Sequence, residues 1–185
     1  MSKSDEYVSK IKSLDWSGLR NLWDGICQGS TPGWAPGKAM EHLMLRAFEL
    51  DGADVAWPFE VKVGKETVEQ IDGVVYAGDL ICVLECKDSE EPVNVGPIAK
   101  LRNQLLRRLS GVLGLLASRG GFTSPARTLA QFLAPQAILL WEGGEIGVVL
   151  EKKSFKEALR KKYRYYVEYG MLDYTVQEET ADNDI

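Results

Sequence analysis

Apolar and polar positions alternate along the chain in two distinct periods, and the changes of period mark the elements. Between residues 5 and 27, Tyr7, Ile11, Leu14, Leu19, Leu22, Trp23 and Ile26 recur at helical spacing, with Gly18 predicting a break between two helical pieces. The Gly/Pro-rich stretch 29–37 reads as a loop. Lys38 to Leu50 carries Met40, Leu43, Met44, Ala47 and Phe48 on one stripe and has Gly52 just past its end, the pattern of a strong amphipathic helix. The period then falls to two. Residues 55–63 read as a strand that Pro58 confines to an edge or a bulge. Residues 68–77 form a second strand, Gly78 and Asp79 turn, and residues 80–87 return as a third. The third is apolar on both faces, which places it in the centre of a sheet.

A long helix is predicted from Val95 to Ser118, with Leu101, Leu105, Leu109, Val112 and Leu116 on one side. Lys100, Gln104, Arg107 and Arg108 fall on the opposite side, while Arg102 lies near the apolar one, where internal pairing is an alternative to an open role. A short helix follows, with Ser124 as its N-cap and Pro125 in its first turn. Residues 136–141 read as another strand, Gly143 and Gly144 as a turn, and 145–150 as a segment pairing back. Residues 152–169 form a basic helix, and 177–185 an acidic, frayed end. Helices, three antiparallel strands, helix, strand, helix: this order specifies an α/β/α sandwich around a mixed central sheet. The expected organisation is an N-terminal helical extension (1–35), a core with its C-terminal helix (36–170) and an acidic tail (171–185).

Composition narrows the chemistry. The 185 residues are 45% hydrophobic and 26% charged, enough for a core without disulfide or metal staples. The N-terminus has no apolar signal region, and the longest apolar stretch, Gly111 to Ala117, is too short to span a bilayer, so a cytoplasmic protein with no membrane association is expected. Three cysteines suit a reducing compartment. On a strand, Cys82 and Cys86 would stand about 13 Å apart, too far for a disulfide, and read as small buried hydrophobes. His42 is the one histidine, so chemistry built on histidine would have to run through it, and a structural or surface role is expected. Carboxylate chemistry remains. The net charge of −5 is unevenly spread: Lys100 to Arg108 carries four bases and no acid, and 151–164 carries seven bases against two acids. Segregated charge of this kind can steer a polyanion, though two solvated helix faces would show the same pattern. Trp16, Trp23, Trp34 and Trp57 have no regular interleaving with the bases and read as core or loop packing.

The most informative segment is residues 70–88. Alternation places Glu85 and Lys87 on one face at the end of the central strand, about 6.6 Å apart, and Asp72 on the neighbouring strand can reach the same end. An isolated buried charge there would cost several kcal/mol, roughly, unless it is paired or holds a metal. Two carboxylates on adjacent strands give hard oxygen ligands for Mg²⁺ or Mn²⁺, and a nearby ammonium can stabilise negative charge on a phosphodiester under attack. A buried salt bridge of Lys87 with Asp72 or Glu85 is the alternative.

Asp72-Gly73, then Glu85-Cys86-Lys87 after a hairpin, a preceding helix bearing Glu41, and a following basic helix resemble the PD-(D/E)xK nuclease superfamily. Gly121-Phe122-Thr123 and the alanine-bearing helix after it resemble that superfamily's Mrr-type restriction endonuclease branch. The likeness spans about residues 36 to 150 and implies a restriction-endonuclease-like fold. It implies that Asp72 and Glu85 ligate Mg²⁺ or Mn²⁺ directly, with the backbone carbonyl of Cys86. Lys87 would position or activate the attacking water, and Glu41 would bind metal through water or complete a second site, unless it is an ordinary surface glutamate. Gln104 resembles a glutamine that some relatives place near the site. Lys100, Arg102, Arg107 and Arg108 are expected phosphate clamps. Two departures stand out: no proline precedes Asp72, and Glu85 stands where many Mrr-type relatives carry glutamine. The resemblance implies a metal-dependent deoxyribonuclease leaving a 5′-phosphate, in a restriction, defence or repair setting. DNA is the expected partner, and the chain would act as a homodimer or as a subunit of a larger assembly. A non-cutting module that binds nucleic acid or protein is the competing expectation.

Overall fold

The computed structural model describes residues 3–133, 135–172 and 174–177. Most of the expected acidic tail, 178–185, lies outside them. The first helical region divides into α1 (Lys3–Lys12) and α2 (Trp16–Cys27). The break falls at residues 13–15 rather than at Gly18, because the Asp15 carboxylate caps α2 by accepting the Gly18 N–H at 2.9 Å. Helix α3 (Lys38–Leu50) buries Met40, Leu43, Met44, Ala47 and Phe48 as its stripe predicts.

The strand expected across Pro58 is two strands, β1 (Asp54–Ala56) and β2 (Phe59–Val63). The next one also divides, at Asp72, into β3 (Glu66–Ile71) and β4 (Gly73–Ala77), before β5 (Leu80–Lys87). Strands β2 and β3 pair antiparallel as a ribbon of their own, while β1 and β4 join the main sheet. After α4 (Val95–Leu105) the long helix does not continue. Val112–Ser118 is a strand, β6, parallel to β5. Its apolar run is buried on both faces, and such a run carries no period that separates helix from strand. Gly114 lets α4 settle on it, since a Cβ there would stand 3.0 Å from the Leu101 side chain.

Helix α5 (Ser124–Gln131) is capped by Thr123, whose side chain accepts the Ala126 N–H, so the cap lies one residue before Ser124. Strand β7 (Ile138–Glu142) follows. Residues 145–150 do not pair back as a strand. They belong to helix α6 (Gly143–Lys152), where Ile146, Val149 and Leu150 are buried at helical spacing. Helix α7 (Phe155–Tyr169) completes the order.

The main sheet runs β1-β4-β5-β6-β7, antiparallel on the β1 side and parallel on the other, with β5 central. Alternation along β5 sends Cys82, Leu84 and Cys86 into a core shared with α1, α2, α3, α6 and α7, and Val83 into one shared with α4 and α5. The result is an α/β/α sandwich of restriction-endonuclease-like fold. No helix among the described residues is long and apolar enough to cross a membrane.

Candidate active site

The C-terminal end of β5 and the start of β4 meet at one rim of the sheet, since Gly73 pairs with Leu84. Asp72 sits just outside β4, and its Oδ2 accepts the Cys86 N–H at 2.8 Å, which ties the aspartate to the end of β5. Glycine is required next to it. A Cβ on Gly73 would stand 2.6 Å from the Leu45 side chain and 2.9 Å from the Ala56 carbonyl oxygen. This close approach seats the Asp72 turn against α3 and β1.

Glu85 is buried, and three hydrogen bonds hold its carboxylate. Lys87 Nζ donates to Oε1 at 2.6 Å, and Lys100 Nζ, arriving from α4, reaches both oxygens at 2.8 and 2.7 Å. From the other face, α3 brings Glu41, also buried, whose oxygens accept from Lys38 Nζ at 2.9 and 2.6 Å. The carboxylates feel one another. Burial, then the Glu85 charge, raises Asp72 above the usual carboxylate range despite the Cys86 N–H. Burial, then the Asp72 charge, raises Glu41 to about 7, against the pull of Lys38. For Lys87, burial works downward, but its hydrogen bond to Glu85 and the nearby acids win and the net direction is upward. Burial drives the Cys86 thiol well up, leaving it inert.

The structure therefore brings Asp72, Glu85, Cys86, Lys87, Glu41 and Lys100 to one rim. Among the described residues no three acidic, histidine or cysteine side chains form a metal cage by themselves. The donor chemistry nevertheless fits a hard divalent cation: buried carboxylates that raise one another's affinity for protons will equally favour added positive charge. Such an ion would share Glu85 with two lysines.

The other sequence expectations fare differently. Gln104 is buried rather than exposed; its Nε2 donates to the Gln70 carbonyl at 3.1 Å and its Oε1 has no partner among the described residues. Arg102 is exposed and makes no ion pair among the described residues. Arg107 and Arg108 both grip buried Glu69, fastening β3 to the end of α4; Arg107 nevertheless keeps most of its side chain exposed, while Arg108 is largely covered. His42 is structural: its Nδ1 donates to the Lys38 carbonyl at 2.8 Å, and Tyr7, Trp34 and Trp57 surround the ring at 5.5–5.9 Å. Burial lowers its pKa, against the pull of the Lys38 carbonyl. Lys38 was not anticipated, although a lysine three residues before Glu41 on one helix is a readable signal.

An α/β/α sandwich with acids and a lysine at the rim of its central strand defines the restriction-endonuclease-like class. Within that class, the chain belongs to the Mrr-type restriction endonuclease family, whose model, described as restriction endonuclease, matches residues 35–150. Among solved structures, the crystal structure of a protein of unknown function, AF1548, is similar at 17% identity with a TM-score of 0.47, over 72% of this chain and 78% of that one. Among curated proteins there is no significant match.

Proposed function

We propose that this protein is a divalent-metal-dependent DNA endonuclease that hydrolyses phosphodiester bonds. The observation that carries the reading is the meeting of Asp72, Glu85, Lys87 and Glu41 at one rim, from three separate elements of a nuclease-family fold. Asp72, Glu85 and the Cys86 carbonyl would hold Mg²⁺ or Mn²⁺, with Glu41 contributing through water or at a second site. When bound, the ion supplies a Lewis acid for the scissile phosphate. The protein's own part is electrostatic and positional. The Lys87 ammonium, held by Glu85, orients the attacking water and stabilises charge on the phosphorus oxygens. Lys100 stands beside it to meet a neighbouring phosphate. Residues 36–170 form the catalytic unit in this reading, with 1–35 as its helical extension. Free thiols at Cys27, Cys82 and Cys86 suit the cytoplasm.

One observation favours a second reading, a non-cutting module: both Glu85 oxygens are already satisfied by lysines, as in a structural ion cluster. Two measurements decide between them, plasmid cleavage and calorimetric titration with Mg²⁺. Lys87→Ala should retain metal binding and lose cleavage by at least about a hundredfold, as removal of one transition-state contact does. Asp72→Asn should weaken both. Unimpaired cutting by either variant, or no Mg²⁺ heat in the parent protein, removes the endonuclease assignment.

A further inference from the structure

The β2–β3 ribbon starts at the reaction rim, with Gln70 only two residues before Asp72. Its two faces differ. Val61, Glu69 and Ile71 turn inward, packed on the core or held by Arg107 and Arg108. Glu60, Lys62, Thr67 and Gln70 share the outer face, where Glu60 pairs with Gln70 and Lys62 with Thr67 across the strands. All four are exposed. They are also organised: Thr67 Oγ1 donates to Glu60 at 3.0 Å, and Lys62 Nζ lies 3.1 Å from the same carboxylate.

An acid at the centre of a polar face is wrong for a phosphate cradle, because it repels the anion. It is right for base edges, which offer both N–H donors and acceptors. Cations stand to either side. A cleft of about 730 Å³ lies between the ribbon and α1 and α3; Lys3 and Lys38 line its far side, and Glu60, Lys62 and Gln70 of the outer face line the near side, with Asp72 at the rim. A second, about 710 Å³, separates the ribbon from α4 and holds Lys100 and Arg107. Gln70 lines both. Strands of five and six residues give a ribbon roughly 16–20 Å long. The major groove, about 12 Å wide and 8.5 Å deep, admits such a two-stranded element.

We propose that the outer face of β2–β3 enters the major groove of duplex DNA and reads base edges beside the cut, with Lys3 and Lys38 toward one phosphate backbone and Lys100 and Arg107 toward the other. Gln70 is the principal reader. Its amide matches the paired donor and acceptor of adenine, and Lys62 adds a second contact suited to guanine. The inference rests on the endonuclease reading and adds sequence choice to it.

The test digests a random-sequence duplex library with the full-length protein and Mg²⁺ and sequences the cut ends. The parent should favour adenine at a fixed position within a few base pairs of the cut. Gln70→Ala should flatten that position by about tenfold or more, and Gln70→Glu should move it toward cytosine, whose amino group a carboxylate accepts. Each preference is a ratio within one reaction, so a change of overall rate does not alter it. Lys62→Ala should flatten a second position, which keeps the test decisive if the Gln70 variants fail to fold. Cutting without base preference, or with preferences the variants leave unchanged, overturns the ribbon assignment and spares the endonuclease. No cutting and no retention of the library by the parent overturns both.

Discussion

Glu41 sits where burial and a neighbouring aspartate both resist its ionisation, and Lys38 only partly compensates. Its folded-state pKa, about 7, lies above the ordinary glutamate value. The folded protein therefore keeps a proton that the unfolded chain releases, and stability falls as pH rises from about 4.5 to about 7. Glu41→Gln should remove this slope and stabilise the protein at pH 8, by on the order of 3 kcal/mol at most. Urea melts in chelator at pH 5 and pH 8 measure it. An unchanged difference between the two pH values in the variant would place the proton elsewhere. At this scale the sequence was legible where a motif encodes contact: Asp72, Glu85 and Lys87 lie together because strand alternation and the hairpin put them there. Lys100 was legible only as charge. Its contact with Glu85 depends on how α4 crosses β5, which no local period reports, and the same blindness made Arg107 and Arg108 look free.

Elements were readable wherever one face is buried and one is wet. The stripe of α3 gave its ends, and the apolar continuity of β5 gave its central place. Where both faces are buried the pattern fails, which is why the α4–β6 region reads as one helix. The two readings differ in a measurable way. In a single helix Leu109 would share the buried stripe with Leu116, yet Leu109 is 84% exposed while Leu116 is fully buried in β6. Leu109→Glu should therefore change stability by no more than about 0.5 kcal/mol. Leu116→Ala should cost about 2–5 kcal/mol. Equal and large losses in chemical denaturation would restore the helical assignment. The division of the second strand at Asp72 is a similar case. Residues 68–77 are continuously strand-like, but the chain passes there from a separate ribbon into the main sheet, and the site residue occupies the switch.

Across the whole molecule, a buried ion pair joins the Leu172–Gln131 and Lys152–Gln177 hydrogen bonds in fastening the last described segment back to the core. Lys162 of α7 lies 2.7 Å from Glu145 of α6, stands over the Trp141 ring, and donates to the Tyr174 carbonyl at 2.6 Å. The Val176 N–H donates to the same glutamate oxygen at 2.8 Å. Burial raises Glu145 and lowers Lys162, so each resists its charge and depends on its partner to keep it. The pair thus couples α6, α7 and the segment ending near Val176, on the side of the sheet away from α4. Lys162→Met should leave a buried carboxylate without a cation and cost about 3–5 kcal/mol. Pairing it with Glu145→Gln should recover much of that loss, because the neutral amide still offers an acceptor to Val176. Denaturant melts of the two single variants and the double variant give the coupling directly. Limited proteolysis should show residues 171–177 cut faster in Lys162→Met than in the double variant. If the single and double variants melt together and cleave alike, this end of the chain is held by the packing of Leu172, Tyr174 and Val176 and not by the charge beneath it.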